Sequence, residues 1–511
     1  MAGNRLRYRV WFTTRQKIVT TVLVLAVLGT AAGYAVDRVT TPEDRSCAPG
    51  VERPAGSTEC VGVNGDGYDF GVAALTGITR AIATENATLK ADEYATVALL
   101  LPLTSTDPGM GIKVLHEVQG AYARQYRANH ASNSETPGIR LVLANTGKGN
   151  AHWEPAVERL KTMTGAPDRL RAVSGVATSS TEVREAVASL TGAGIAVVGT
   201  TITADDIANG PGGNRYPGLA RVSPTNGDEA KALAHFGKVV AAKALLVQDT
   251  RTGDHYTDTL KTAFAASLRG APYEPQLFTS PPDPNDEGTT ANTFRQITHL
   301  ICDTQAETVF FAGRHTQLRQ FINALGARGC AERSFTILTG DEGSYLGADR
   351  KLDRTALKRR LTVRYAALAH PDAWNPARGG QVPATGGSTA AYLTFLGDIK
   401  RVSKEPVPLA DGQAIIAYDA MATAVHAIRQ ATPEGERYPD TADVATQWPQ
   451  VKGSLRVDGA GGWICLDNYG NPFDKAVPIV ELAQDGTQKF VRIAWPEGHP
   501  PAAPCLPPRR E

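Results

Sequence analysis

The 511-residue sequence predicts an α/β protein: two doubly wound parallel-sheet lobes joined by hinge strands, preceded by one N-terminal transmembrane helix. Three observations carry that expectation. Eight short runs are apolar throughout rather than alternating, the mark of strands covered on both faces. Most of them are separated by stretches of helical period. A long uncharged run also stands near the start of the chain.

The opening "MAGNRLRYRVWFTTRQK" carries Arg5, Arg7, Arg9, Arg15 and Lys17 and no acid. The uncharged run Ile18–Val36, "IVTTVLVLAVLGTAAGYAV", follows it. That run approaches the roughly 20 residues a helix needs to cross a bilayer. The basic flank predicts an N-terminus inside and the remaining chain outside. The expected location is therefore the cell membrane, single-pass, with the main domain on the extracellular face. Gly33-Tyr34-Ala35 loosely fits a small-x-small cleavage site, so a cleaved signal peptide is the alternative. Residues 1–17 read as a cytoplasmic basic segment, 18–36 as the anchor, and 37–92 as an extracellular stalk and helix. "DRS" before Cys47 is no lipobox, which argues against a lipid anchor.

Six cysteines suit an exported chain with disulfides. Pairing sequence neighbours gives Cys47–Cys60, Cys302–Cys330 and Cys465–Cys505. The middle pair has a geometric argument, because "FRQITHLIC" and "LRQFINALGARGC" are amphipathic segments flanking the strand-like "TVFFAG". Helices on either side of a parallel strand end at the same edge, so their last turns can meet. Metal binding is disfavoured, since there is no C-x-x-C and the ten histidines are scattered. Lysine plus arginine (53) balances aspartate plus glutamate (52), so no basic surplus points to nucleic acid.

From Ala95 onward the strand-like runs are "ATVALLLPL", "IRLVLAN", "LRAVSGV" and "IAVVGT", then "ALLVQD", "TVFFAG", "FTILTG" and "LTVRYAAL". Between them lie segments such as "TEVREAVASL", with Val183, Ala186, Val187 and Leu190 on one face. The runs divide four and four around "ARVSPTNGDE", Ala220–Glu229. Lobe 1 is expected over 93–221 plus 378–460, and lobe 2 over 222–377 plus 461–498, with hinges near Val222 and Pro376. Asp458-Gly459 and Asp485-Gly486 mark hairpin turns. The tail, 499–511, is too proline-rich for regular structure and is expected to be pinned by Cys505.

In open α/β sheets ligands sit beyond the carboxyl ends of the strands. Read in order, those ends offer Thr104 and Ser105, Asn145, Thr178 and Ser179, then Thr200, Thr201 and Thr203. The second group offers Asp249 and Thr250, Arg314 and His315, then Asp341 and Glu342. One set is neutral hydroxyls and amide; the other is charged. Ser179 and Glu182 fit an S/T-x-x-E capping box, which explains them structurally. The same helix start would also suit a ligand carboxylate, with the Thr178 hydroxyl beside it.

The ordered motifs "VALLLPLT", "LVLANT", "VSGVATSST", "IAVVGTTIT", "LLVQDTRTGDHY", "VFFAGRH", "LTGDEGSY" and "IAYDA" resemble the type I periplasmic-binding-protein family. The likeness is to its leucine/isoleucine/valine-binding branch, the solute receptors of ABC transporters, and covers roughly residues 93–495. The early "ECVGVNGDGYDF" and "IATENA" are similar to membrane-anchored actinobacterial members. The resemblance implies that Thr178, Ser179, Thr200 and Thr201 or Thr203 grip a ligand carboxylate. It places Tyr256 at the start of the first helix of lobe 2, and Glu342, in "GDEG", against the ligand ammonium. Asp341 is then a solvated or capping residue. Arg314 departs from the family, standing where branched-chain binders carry an aromatic residue. Facing the cleft it would suit an anionic or hydrogen-bonding ligand; the alternative is that it swings out to solvent.

No G-x-S-x-G, H-E-x-x-H, Walker A or post-strand G-x-G-x-x-G is present, so neither an enzyme nor a cofactor is expected. The expected function is capture of a small polar or amino-acid-like ligand between two lobes for an ABC permease. The alternative is a membrane-anchored sensor working with a signalling partner.

Overall fold

The computed structural model describes residues 13–40, 45–131, 136–283, 286–378 and 382–507; of residues 31–40 the backbone alone is described. The first unit, up to Ser46, holds helix α1 (Thr14–Thr40). Ile18, Val22, Leu25 and Leu28 are all exposed on it. Among the described residues no helix is long and apolar enough to cross a membrane. Of the expected anchor, side chains are described only for Ile18–Thr30, which include Thr20 and Thr21. The spanning helix is therefore not carried by the structure. Most of the basic segment, residues 1–12, lies outside the described residues.

The second unit, Cys47–Glu511, contains two large sheets. Its first strands are β1 (Ser46–Ala48), β2 (Val51–Glu52), β3 (Val61–Asn64), β4 (Tyr94–Leu101), β5 (Gly138–Asn145), β6 (Leu170–Gly175), β7 (Ala196–Gly199) and β8 (Leu219–Arg221). They lie in the order β1-β2-β3-β5-β4-β6-β7-β8, parallel from β5 to β8. β3 runs antiparallel to β5, so residues 46–64 extend this sheet instead of forming a stalk. The cause is local: Val51, Val61 and Val63 are buried against it.

The second sheet holds β9 (Ala244–Asp249), β10 (Gln276–Phe278), β11 (Thr308–Ala312), β12 (Phe335–Thr339) and β13 (Leu361–Ala366). A separate hairpin, β14 (Val457–Gly459) and β15 (Gly462–Ile464), precedes β16 (Val477–Leu482) and β17 (Gln488–Ala494). Its order is β10-β9-β11-β12-β13-β16-β17, parallel through β13 and antiparallel beyond it. All eight apolar runs of the sequence are thus parallel strands. In each sheet the second parallel strand lies outside the first, so the winding reverses between β4 and β6 and again between β9 and β11. Such reversals leave a crevice at the strands' carboxyl ends.

After α1 the helices are α2 (Thr76–Asn86), α3 (Pro108–His130), α4 (Trp153–Thr162), α5 (Thr181–Gly192), α6 (Asn226–Gly237), α7 (His255–Ser267), α8 (Thr290–Cys302), α9 (His315–Gly326), α10 (Thr389–Val402), α11 (Gln413–Ala431) and α12 (Thr441–Ala445). Helix α3 starts cleanly: Pro108 occupies its first turn and Asp107 caps it, accepting from Met110 N at 2.8 Å. It packs on α11, and a Cβ added at Gly120 would meet Ala414 O at 2.1 Å. Only glycine permits that approach.

In α11, Asp419 accepts hydrogen bonds from Ala460 N (2.6 Å) and Gly461 N (2.9 Å), while Lys475 Nζ donates to Gly462 O at 3.1 Å. This pair holds the chain where it turns back toward the second sheet. It also moves a turn: the hairpin expected at Asp458-Gly459 closes at Ala460-Gly461, whose N–H groups the carboxylate takes. The turn at Asp485-Gly486 lies between β16 and β17 as expected. Three disulfides close, Cys47–Cys60, Cys302–Cys330 and Cys465–Cys505, with Cα separations of 6.1, 5.9 and 6.3 Å. The last one ties down the proline-rich tail, whose final residues, 508–511, lie outside the described residues.

Candidate functional site

The two winding reversals face one another across a single cavity of about 310 Å³. Every wall comes from a strand's carboxyl end. Ser105 follows β4, Asn150 follows β5, Thr178 and Ser180 follow β6, Arg251 and Asp254 follow β9, Arg314 follows β11 and Glu342 follows β12. The loop after β6 carries backbone strain. Val176 (φ 51°) and Thr178 (φ 80°) hold left-handed conformations that β-branched residues rarely adopt, at a cost on the order of 1–3 kcal/mol each. The strain is held by contacts: Thr178 N donates to Thr201 Oγ1 at 3.3 Å, and Asn150 Nδ2 donates to Thr178 Oγ1 at 3.2 Å. A threonine hydroxyl is thereby fixed on the cavity wall.

The other hydroxyls expected at the site stand behind that wall. Thr200 Oγ1 lies 2.7 Å from Glu117 Oε2 and 3.0 Å from Gly175 O; Thr201 Oγ1 accepts from Lys113 Nζ at 3.0 Å. Thr203 is buried, and its carbonyl accepts from Asn226 N at 2.7 Å. Ser179 is buried as well, its Oγ accepting from Ala204 N at 3.2 Å. The capping box read at Ser179 and Glu182 does not form. Helix α5 begins one residue later, and Ser180 Oγ caps it, accepting from Val183 N at 3.4 Å. Ser179 serves the cleft through its carbonyl, which accepts from Tyr256 N (3.2 Å) and Arg314 Nη2 (3.5 Å) on the opposite side. His255 Nδ1 with Asp206 Oδ2 (2.6 Å) and Lys148 with Asp283 (3.3 Å) add further bridges between the two sides.

Arg314 does not swing out to solvent. Its Nε and Nη2 donate to Asp254 Oδ2 (2.8 Å) and Oδ1 (2.7 Å), and Nη1 donates to Glu342 Oε1 at 2.8 Å. Its guanidinium carbon lies 4.6 Å from the centre of the Tyr256 ring. Burial opposes the charge, but the two carboxylates outweigh it and hold the guanidinium more firmly protonated than usual. Glu342 is engaged on its other oxygen too. Oε2 accepts from His315 N (3.1 Å) and His315 Nδ1 (2.8 Å), so it also closes the first turn of α9. Burial would raise this carboxyl; Arg314 and His315 hold it well below the ordinary range.

Asp341, expected as a solvated or capping residue, is half-buried and caps no helix. Its backbone N–H donates to the buried Glu229 carboxylate at 3.2 Å, and its own Oδ1 is buried without a hydrogen-bond partner among the described residues. Burial first, and the neighbouring Glu342 second, push its carboxyl up to about 7. Burial next to Asp341 raises Glu229 as well.

The structure therefore brings Thr178, Arg314 and Glu342 to the cavity and sets Tyr256 beneath the guanidinium. It leaves the side chains of Ser179, Thr200, Thr201 and Thr203 in supporting positions. Asp254 was missed in the sequence. Its signal was the cap it makes for α7, where Oδ1 accepts from Thr257 N at 3.3 Å, two residues before the tyrosine that was singled out.

No family model matches this chain, and no curated protein matches it. Solved structures do. A leucine-binding protein from Thermotoga maritima has a TM-score of 0.56 at 16% identity, over 79% of this chain and 99% of its own. A branched-chain amino acid transporter substrate-binding protein from Streptococcus pneumoniae, in complex with isoleucine, has a TM-score of 0.56 at 14% identity, over 79% and 99%. An ABC-transporter solute-binding protein from Rhodopseudomonas palustris, in complex with p-hydroxybenzoic acid, has a TM-score of 0.55 at 16% identity, over 78% and 96%. All three are binding proteins. With its two sheets wound alike and one cleft between their carboxyl ends, the chain has the type I periplasmic-binding fold.

Proposed function

We propose that this chain is an extracytoplasmic solute-binding protein that captures a small carboxylate-bearing solute between its two sheets and delivers it to an ABC transporter. The observation that carries the reading is the single cavity at the facing winding reversals, lined by polar side chains from both sides. Its volume of about 310 Å³ suits a metabolite the size of an amino acid or a small aromatic acid. The ligands named for similar structures, isoleucine and p-hydroxybenzoic acid, share a carboxylate and that size. Contacts such as Tyr256 N to Ser179 O link the two sides, so a ligand touching both would favour the closed arrangement. Tethering through α1, with the binding unit outside the cell, completes the proposal and rests on the basic flank and apolar run of the sequence.

Thermal-shift screening of small carboxylates tests the reading. A binding solute raises the melting temperature of wild type, and Ser105→Trp, which fills the cavity from the β4 loop, abolishes the shift. An unchanged shift in that variant would remove the cavity from the function.

A further inference from the structure

Two carboxylates, an aromatic face and a backbone carbonyl converge in this cleft: Asp254, Glu342, Tyr256 and Ser179 O. Together they form a seat for a cation. The seat is filled by the protein itself. The Arg314 guanidinium meets Asp254 at 2.8 and 2.7 Å, Glu342 at 2.8 Å, Ser179 O at 3.5 Å and the Tyr256 ring centre at 4.6 Å. The second oxygen of Glu342 is taken by His315 at 3.1 and 2.8 Å. An incoming ammonium would have to break a forked, buried ion pair to reach either carboxylate. The wall also offers a ligand's polar end the Thr178 and Ser105 hydroxyls and the Asn150 amide, while two further cations on it, Arg251 and Lys148, already pair with Asp254 (2.7 Å) and Asp283 (3.3 Å).

We infer that Arg314 determines specificity by occupying the cation seat, so that the cleft takes small organic acids without an amino group and rejects the corresponding α-amino acids. This inference rests on the proposed solute-binding role and narrows its ligand class. Glu182 also lines the cavity, in the first turn of α5, where the helix dipole favours its negative charge. Glu182 and Asp283, the latter paired with Lys148 at 3.3 Å, are the acids through which an amine could still be bound, and the experiment has to detect that.

Calorimetry with matched pairs of probes tests the inference: L-leucine against 4-methylpentanoate, L-glutamate against glutarate, and L-phenylalanine against 3-phenylpropionate. In the wild-type protein the member lacking the amine is expected to bind more tightly by about tenfold or more. In Arg314→Met combined with Asp254→Asn, which empties the seat, removes one carboxylate with it and leaves Glu342 to His315, the preference is expected to narrow or invert. Circular dichroism checks that this variant folds; if it does not, the wild-type pairs alone decide. Tighter binding of the amino acids by wild type would overturn the inference and leave solute binding standing. Binding of neither member of any pair would overturn both.

Discussion

Arg314 and Asp254 are joined by two parallel hydrogen bonds, 2.8 Å from Nε and 2.7 Å from Nη2, with side chains only 11% and 2% exposed. A forked pair at that depth is far more costly to break than to replace. Asp254→Ala, which leaves the buried guanidinium with Glu342 as its one remaining carboxylate, is expected to destabilise the protein by about 3–5 kcal/mol. Adding Arg314→Met to it should recover part of that loss, because the under-paired guanidinium is gone while Glu342 keeps His315. Urea denaturation of the two single variants and the double variant measures the coupling.

Stability should depend on pH through two neighbouring acids with opposite signs. Asp341 is held at about 7, above its ordinary 3.8, so the folded chain keeps a proton that the unfolded chain releases. Its contribution is full below the ordinary value and is lost as pH rises toward 7. Glu342 is depressed below its ordinary 4.5, so its contribution is present above that value and is lost as pH falls. Melting temperatures measured between pH 3 and 8 should show Asp341→Asn flattening the neutral side of the profile, with Glu342→Gln flattening the acid side.

The Cys302–Cys330 bridge closes a separation of 28 residues. In the chain-entropy account a loop of that length contributes about 3–4 kcal/mol. Replacing both cysteines by alanine should lower the denaturation midpoint accordingly, and non-reducing peptide mapping should recover the two halves joined.

Gly120→Ala places a methyl group against the Ala414 carbonyl, where the Cβ would lie 2.1 Å away. Helices α3 and α11 must then separate, at a cost of about 1–3 kcal/mol. Gly111, in the same helix with open space at its Cβ, is the control: Gly111→Ala should leave stability unchanged or raise it.

For the proposed tether, membrane fractionation with N-terminal sequencing of the mature protein is decisive. The expected result is a membrane-bound chain that retains residues 18–36. A soluble chain beginning near Val36 would show that the segment is a cleaved leader.

Sequence alone determined the strands. Runs such as "VALLL" and "AVVG" are apolar on both faces, and only a parallel sheet covered by helices buries both. The division of those runs around Ala220–Glu229 was legible for the same reason, as was the pairing of cysteines that are neighbours along the chain. Tertiary structure decided which strand-end groups reach the cavity. Thr178 and Ser179 are adjacent in the chain, yet one lines the cavity with its side chain while the other offers only its carbonyl, because a left-handed turn at Val176 and Thr178 rotates the backbone between them. Asp341 and Glu342 are adjacent too, and they titrate in opposite directions because Arg314 and His315 hold Glu342 charged, while Asp341 is buried beside that charge with no cation bonded to its own carboxyl among the described residues. The groups that decide between them are not near in sequence: Arg314 and His315 both come from the end of β11. A local pattern sets the period of an element and the residue types at its end. The charge and direction of a side chain at that end are set by groups that only long-range folding brings within about 3 Å, where the electrostatic energy is large enough to decide.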